Sequence, residues 1–187
     1  MKRSLLIDCN YICHVSQFSI PEMTFNGMHT GVIYGFMKKI IEYSQKFKPD
    51  NIAFAWDSRV SIRKEIYPGY KRGRVHDNDQ MTEEEAFLLK MAFMQFDQIR
   101  EDILPELGFS NIFIQDGYEA DDIMASVAKN NSEYFITMVT SDKDMFQLLS
   151  DTCVMYNPVA RKMINREVFI NEWKFEPELW GKARSIS

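Results

Sequence analysis

The sequence is poor in the residues that bind zinc or form cross-links, with 3 Cys and 3 His among 187 residues. Three cysteines do not make a disulfide framework in a chain of this length. Cys9 and Cys13 lack a second pair or a nearby histidine cluster, which argues against a zinc site. We therefore expect Cys9, Cys13 and Cys153 to be buried free thiols, as in proteins of a reducing cytosol.

Long hydrophobic runs are also missing. The apolar run at the N-terminus covers residues 5–7 and stops at Asp8, which is too short for a signal peptide. No stretch approaches the ~18 apolar residues of a membrane span. These absences argue against a membrane protein, and we expect no membrane partner.

An excess of basic residues is the third absence. The formal net charge is −5, which excludes a protein that coats DNA with a broadly basic surface. It does not exclude nucleic acid as such, because we assign seven of the 27 acids below to one site. The acids outside that site are fewer than the 22 Lys and Arg residues, and metal ions would neutralise much of the site itself.

Short apolar runs alternate with helical patterns along the chain. Runs typical of strands cover residues 4–7, 52–56, 111–115, 134–140, 152–156 and 163–164. Helical spacing covers residues 32–47, 84–104, 119–131, 145–149 and 166–174, and a last short helix starts near residue 177. This alternation predicts one α/β domain over residues 1–187, with a mainly parallel, doubly wound sheet and helices on both faces.

Acidic residues follow the predicted strands where the strands end. Ligands of such sheets bind beyond the carboxyl ends of the strands. Strand ends and the start of the 119–131 helix therefore place seven acids on one rim of the sheet: Asp8, Asp57, Glu119, Asp121, Asp122, Asp142 and Asp144.

Helix capping is the simpler explanation for an acid that opens a helix, and it stabilises a helix by roughly 0.3–1 kcal/mol. Capping alone is left open as the explanation of Glu119 or of Asp121 when each residue is considered by itself. It does not explain Asp8 and Asp57, which end apolar strands. Crowded carboxylates in a cleft need cations, and hard oxygen ligands favour Mg²⁺ or Mn²⁺. The sequence thus predicts a site for such cations, and two of them can promote phosphodiester hydrolysis.

Residues 59–74 form a basic segment in which Tyr67 and Tyr70 stand between Lys and Arg residues. This composition suits phosphate contact combined with base stacking. A solvated basic loop is the alternative. The position directly after Asp57 favours the functional interpretation.

Five short motifs follow one another in the sequence: Leu-Ile-Asp8-Cys-Asn, Ala-Trp-Asp57, Arg63 with Tyr70-Lys71-Arg-Gly-Arg74, Gly117-Tyr-Glu119-Ala-Asp121-Asp122, and Thr140-Ser-Asp142-Lys-Asp144. Together they resemble the 5′-nuclease family, which comprises flap endonucleases, phage 5′–3′ exonucleases and the 5′-nuclease domain of bacterial DNA polymerases. The last two motifs are specific in combination. The resemblance spans most of the chain, from residue 4 to about 175.

The resemblance implies a PIN-like fold and two-metal hydrolysis of DNA near a free 5′ end or flap, in replication or repair. It implies metal roles for the seven acids and contact of Lys71 and Arg74 with the reacting phosphate as catalytic residues. Residues 63–95 would form a clamp or arch around single-stranded 5′ ends. The implied nucleic-acid contacts are Arg63, Tyr67, Tyr70, Lys71, Arg72 and Arg74.

Two departures from the family pattern are visible. Cys9 stands where the family usually has glycine, a change that we expect to be tolerated. The family also continues into a helix–three-turn–helix module that binds duplex DNA and usually supplies further aspartates to the second metal. We expect that module to be absent or truncated in this chain. A nucleic-acid-binding remnant with weak or no catalysis is therefore an alternative function.

A phosphoacceptor receiver domain is a remote alternative, because Asp57 ends a strand as a phosphorylated aspartate does. Receivers are shorter and need neither the basic segment nor the pair Asp142 and Asp144. The expected partner is DNA with a 5′ flap or single-stranded 5′ end, or an RNA/DNA hybrid. We expect a cytoplasmic monomer, in the host cytoplasm if the chain is phage-encoded.

Overall fold

A computed structural model describes residues 1–20, 23–67, 69–70 and 82–185. Eight strands occur in this part of the chain: β1 (Lys2–Asp8), β2 (Thr24–Phe25), β3 (Met28–His29), β4 (Asn51–Ala55), β5 (Ile112–Phe113), β6 (Tyr134–Val139), β7 (Cys153–Asn157) and β8 (Lys162–Ile164). Six of them form one sheet in the order β5-β4-β1-β6-β7-β8. All its pairings are parallel except that of β7 with β8, and β2 and β3 form a separate antiparallel hairpin.

The α-helices of the described residues are α1 (Cys9–Ser19), α2 (Gly31–Phe47), α3 (Ile62–Ile66), α4 (Glu83–Gln98), α5 (Leu104–Glu106), α6 (Ala120–Asn130), α7 (Arg166–Trp173) and α8 (Trp180–Arg184). A π-helical segment, Ile99–Ile103, joins α4 to α5. Two 3₁₀ segments, Lys143–Leu148 and Pro177–Leu179, precede β7 and α8. No helix in these ranges is long and apolar enough to cross a membrane.

The core lies on both faces of the sheet. Successive side chains of a strand point to opposite faces, and Leu5 and Ile7 accordingly pack into one buried cluster with α1, α2 and α4. Leu6 packs into the other cluster, which contains Met124 of α6 and Phe169 of α7. The predicted parallel α/β architecture with helices on both faces is confirmed, and so are the three buried free cysteines.

Two elements near the N-terminus were not predicted. Helix α1 follows β1 without a loop, because the carboxylate of Asp8 accepts a hydrogen bond from the backbone N–H of Tyr11 and caps the helix. The β2–β3 hairpin turns at Asn26 and Gly27, which both have positive φ. Asn-Gly is the dipeptide that favours such turns. Asp8 therefore ends a strand and starts a helix, which holds its carboxylate at the edge of the sheet.

Gln95 joins α4 to the start of α2. Thr30 makes no side-chain cap for α2, and the Oε1 of Gln95 accepts hydrogen bonds from the N–H groups of Val32 at 3.0 Å and Ile33 at 3.2 Å instead. Its amide group donates to the carbonyl of Met91 at 3.3 Å. The buried Gln95 side chain thus satisfies two N–H groups that a helix start leaves without partners.

We expect Gln95→Leu to lower the free energy of unfolding by about 1–3 kcal/mol, because the two N–H groups of α2 would stay buried without acceptors. Urea denaturation followed by circular dichroism measures the change. Gln98→Leu is the matched control, since Gln98 is exposed on the same helix. Equal effects of the two substitutions would contradict the capping role.

Candidate active site

Carboxylates gather where β1, β4 and β6 end. Asp8 is the last residue of β1, Asp57 follows β4, and Asp142 caps the 3₁₀ segment that follows β6. Glu119 is the N-cap of α6. A cavity of about 780 Å³ opens between these elements. Five of the seven predicted acids line it, namely Asp8, Asp57, Glu119, Asp121 and Asp142.

The other two predicted acids line an adjoining cavity of about 490 Å³. Asp122 and Asp144 lie there, together with Arg63 and Arg184, and Asp121 lines both cavities. The seven acids share one rim of the sheet as predicted, but they divide between two cavities. Within the described ranges, no three acidic, histidine or cysteine side chains lie close enough together to hold a metal ion in their present positions.

Thr140 connects two of the acids. Its hydroxyl donates to Oδ2 of Asp8 at 2.9 Å and accepts from the backbone N–H of Asp142 at 3.1 Å. Thr140 is fully buried at the end of β6. One hydroxyl group therefore sets the distance between the carboxylate that ends β1 and the loop that follows β6.

Asn10 positions Asp57 from the first turn of α1. Its Oδ1 accepts from the backbone N–H of Asp57 at 3.0 Å. Oδ1 of Asp57 in turn accepts from the N–H of Ala120 at 2.7 Å, at the start of α6. The side chain of Asp57 thereby holds α6, and with it Glu119 and Asp121, against the end of β4.

Burial and crowding raise the pKa of two acids. The pKa of Asp8 is raised to about 7, mainly by burial, with further increases from the charges of Asp57 and Asp142, while its hydrogen bonds to Tyr11 and Thr140 act in the opposite direction. Burial and then the charge of Asp122 raise the pKa of Asp121. Negative charge on this rim is therefore costly for the folded protein unless cations compensate it.

Arg63 compensates part of that charge. Its guanidinium donates to Oε2 of Glu119 at 2.8 Å and to Oδ1 of Asp122 at 2.6 Å, and it lies 3.9 Å from Oδ1 of Asp121. The hydroxyl of Tyr70 donates to the same Glu119 oxygen at 3.1 Å. In the neighbouring part of the rim, Arg184 of α8 forms an ion pair with Asp144.

Gly117 brings Arg63 to this place. Gly117 has a φ of +87°, and a Cβ atom there would lie 2.4 Å from the side chain of Ile62. The carbonyl of Gly117 accepts from the N–H of Ile62 at 3.1 Å. Only glycine allows the turn before α6 to approach the start of α3 so closely, and this contact sets Arg63 opposite the acids that open α6.

A third cavity, of about 1020 Å³, lies between the end of β4 and helix α4. It shares Asn10, His14 and Asp57 with the acid cavity. Aromatic and charged side chains line it, namely Trp56, Phe93, Phe96, Arg59, Lys90, Arg100, Asp57, Glu83 and Asp97. Asp97 forms ion pairs with both Arg59 and Arg100. This groove adjoins the carboxylates and contains aromatic rings of the kind on which nucleic-acid bases stack.

The predicted nucleic-acid contacts have different positions. Arg63 and Tyr70 line the cavity that holds Asp122 and Asp144, and Tyr67 is exposed. Lys71, Arg72 and Arg74 lie outside the described residues, as do residues 68, 73 and 75–81 of the predicted clamp. Helix α3 ends before this segment and helix α4 begins after it.

Sequence reasoning missed three residues of the site. Asn10 stands in the first motif, two residues after Asp8, and Thr140 opens the last motif, but neither side chain signals which atom it will contact. Arg184 is one of 22 basic residues, and no local pattern distinguishes it.

The chain is similar to curated proteins over nearly its full length. It is 26% identical to the thermostable DNA polymerase I of Thermus caldophilus, covering 98% of this chain and 21% of that protein. It is 28% identical to the 5′-3′ exonuclease of Aquifex aeolicus, covering 95% and 58%, respectively. DNA polymerase I of Caldicellulosiruptor bescii is 33% identical over 81% of this chain and 17% of its own length. The chain therefore spans about a fifth of the polymerases and just over half of the exonuclease.

Solved structures share the fold. The T5 D15 protein co-crystallised with metal ions superposes with a TM-score of 0.78 at 20% identity, covering 96% of this chain and 64% of that one. The bacteriophage T5 D15 flap endonuclease in a complex with DNA and metal ions gives a TM-score of 0.76 at 20% identity, covering 92% and 61%. These likenesses confirm the PIN-like fold.

A family model described as the N-terminal resolvase-like domain of 5′-3′ exonucleases matches residues 3–174. The match includes all seven predicted acids and the basic segment. The chain belongs to this 5′-3′ exonuclease family.

Proposed function

We propose that the chain is a divalent-metal-dependent 5′ nuclease that hydrolyses DNA phosphodiesters near free 5′ ends or flaps. The observation that carries the proposal is the cavity lined by five carboxylates, which adjoins a groove lined by aromatic and charged side chains. Membership of the 5′-3′ exonuclease family supports it. So does the likeness to a T5 structure that contains DNA and metal ions. That membership also argues against the receiver-domain alternative.

The donor atoms of the rim are of the kind that a hard divalent cation prefers, although the acids must move closer together to hold one. All seven acids offer carboxylate oxygens, and none of the three cysteines lines the two acid cavities. Such donors favour Mg²⁺ or Mn²⁺, although a similar T5 exonuclease structure holds zinc. We assign the metal ligands to Asp8, Asp57, Glu119, Asp121, Asp122, Asp142 and Asp144. Two bound cations would lower the pKa of an attacking water and stabilise the leaving oxygen.

The protein's own groups have separate tasks in this proposal. Asn10 and Thr140 hold Asp57 and Asp8 in place through the hydrogen bonds described above. Lys71 and Arg74 grip the reacting phosphate and stabilise its transition-state charge. Arg63, Tyr67, Tyr70 and Arg72 contact the nucleic acid.

The domain organisation belongs to the proposal as well. We propose a single nuclease domain in which residues 63–95 act as a clamp around the 5′ strand. Most of α3 and of α4 lies within that segment, and the third cavity lies beside α4. We also propose that the chain is monomeric and located in the cytoplasm.

Cleavage of a 5′-labelled DNA flap tests the function. We expect cleavage with Mg²⁺ or Mn²⁺, none with EDTA, and binding without cleavage in Ca²⁺. Single-stranded 5′ ends and RNA/DNA hybrids of the same sequence define the substrate. Binding without cleavage at any Mn²⁺ concentration would replace the proposal with the alternative of a nucleic-acid-binding protein that has lost catalysis.

A further inference from the structure

Arg63 lies among three acidic side chains at the start of α6. Its guanidinium lies within 4 Å of three carboxylates that open α6, at 2.8 Å from Glu119, 2.6 Å from Asp122 and 3.9 Å from Asp121. Partial burial acts to lower the pKa of Arg63, but the hydrogen bond to Asp122 and the charges of the three acids raise it. Arg63 therefore stays positively charged among these acids.

Arg63 is not needed to hold those acids in place, because the backbone does so. The N–H of Glu119 donates to Oδ2 of Asp122 at 3.1 Å, and the N–H of Asp122 donates to Oδ1 of Asp121 at 2.8 Å. Asp122 caps the first turn of α6 in this way. The contribution of Arg63 is mainly its charge.

The Arg63 side chain is more exposed than the acids that it contacts. It is 37% exposed, whereas that of Glu119 is 14% exposed. The guanidinium carbon of Arg63 lies 5.8 Å from the centroid of the Tyr70 ring. Both residues line the open cavity that also holds Asp122 and Asp144. An arginine that is partly in water can rotate towards another anion with little loss of hydration.

We propose that Arg63 is an internal counter-ion for Glu119, Asp121 and Asp122, which neutralises them before a divalent cation binds and competes with that cation. When a cation takes its place, the guanidinium becomes available to a nucleic-acid phosphate in the same cavity. The inference rests on the proposed function, because it concerns the cations of that site. It adds that Arg63 weakens their binding, whereas a positioning residue would strengthen it.

Isothermal titration of the protein with Mn²⁺, without DNA, tests the inference. Arg63→Gln removes the charge, and we expect it to tighten Mn²⁺ binding about tenfold, because a competing positive charge is lost. Arg63→Lys keeps the charge and should bind Mn²⁺ close to the wild-type affinity. Arg166→Gln is the matched control, because Arg166 makes two hydrogen bonds with Glu176 away from the site. It should leave the Mn²⁺ affinity unchanged.

Thermal unfolding gives a second readout that needs no activity. In EDTA, Arg63→Gln should lower Tm by roughly 2–4 °C, because three acids lose their counter-ion, and saturating Mn²⁺ should remove that difference. Weaker or unchanged Mn²⁺ binding by Arg63→Gln, with wild-type binding intact, would overturn the counter-ion role alone. Absence of Mn²⁺ binding by the wild type would overturn the proposed function together with it.

Discussion

Asp8→Asn is expected to stabilise the protein in EDTA at pH 8 and to abolish cleavage. Burial raises the pKa of Asp8 to about 7 in the folded protein, whereas an unfolded aspartate titrates near its ordinary value of about 4. Ionisation of Asp8 above neutral pH therefore opposes folding. Asparagine avoids this cost, and we expect the free energy of unfolding to rise by about 2–4 kcal/mol.

The difference in the free energy of unfolding between Asp8→Asn and the wild type is expected to depend on pH. Below about pH 4, Asp8 is protonated in both states, so the two proteins should differ little. From there to about pH 7 the unfolded chain loses the proton and the folded protein keeps it, so the wild type progressively loses stability relative to Asp8→Asn. Above pH 7 the difference should be constant. Urea denaturation in EDTA at several pH values measures it.

The same substitution removes a proposed metal ligand. We expect cleavage of the flap substrate to fall by about a thousandfold or more, because stabilisation of transition-state charge by the cations is worth several kcal/mol. Asp50→Asn is the control, since Asp50 is exposed at the opposite edge of the sheet and accepts from the N–H of Arg3. Asp50→Asn should neither raise the free energy of unfolding at pH 8 nor lower the rate of flap cleavage. Retained cleavage by Asp8→Asn would contradict the ligand role.

Thr140→Val is expected to reduce cleavage about 10–100-fold, the usual loss when a group that orients a metal ligand is removed. Valine has the shape of threonine and fills the same buried space. It cannot donate to Asp8 or accept from the N–H of Asp142. The free energy of unfolding should fall by about 1–3 kcal/mol, because the Asp142 N–H and the Asp8 oxygen lose their partner.

A positioning role for Thr140 predicts how this loss arises. Calorimetry should show weaker Mn²⁺ binding by Thr140→Val, and Thr140→Ser, which keeps the hydroxyl, should restore both affinity and turnover. An effect on stability alone, with Mn²⁺ affinity unchanged, would reduce Thr140 to a structural residue.

Local sequence patterns were sufficient for the six strands of the main sheet and for the rim that carries the acids. Apolar runs end at Asp8 and before Asp57, and parallel strands present their carboxyl ends at one edge. Helix α1 was missed although its buried positions Cys9, Ile12, Cys13 and Ser16 have helical spacing, because the residue that ends β1 also caps the helix and leaves no loop between the two elements. The hairpin had a usable signal in Asn26-Gly27.

The internal partners of the acids could not be predicted. Thr140 and Asp8 are 132 residues apart, Arg63 and Glu119 are 56 apart, and Arg184 and Asp144 are 40 apart. Such contacts depend on the distances between strands and on side-chain rotamers, which no periodicity encodes. The two acids that line only the second cavity are also held by such partners, because Arg63 pairs with Asp122 and Arg184 pairs with Asp144.

The sequence by itself determined the fold class, the family and the set of acids at the edge of the sheet, because these follow from local periodicity and from motifs that are contiguous in the chain. Only the tertiary structure decided how the acids are held. The hydroxyl of Thr140, the amide of Asn10 and the guanidinium of Arg63 reach their partners through the packing of distant elements. Burial, which raises the pKa of Asp8, is likewise a property of the assembled core.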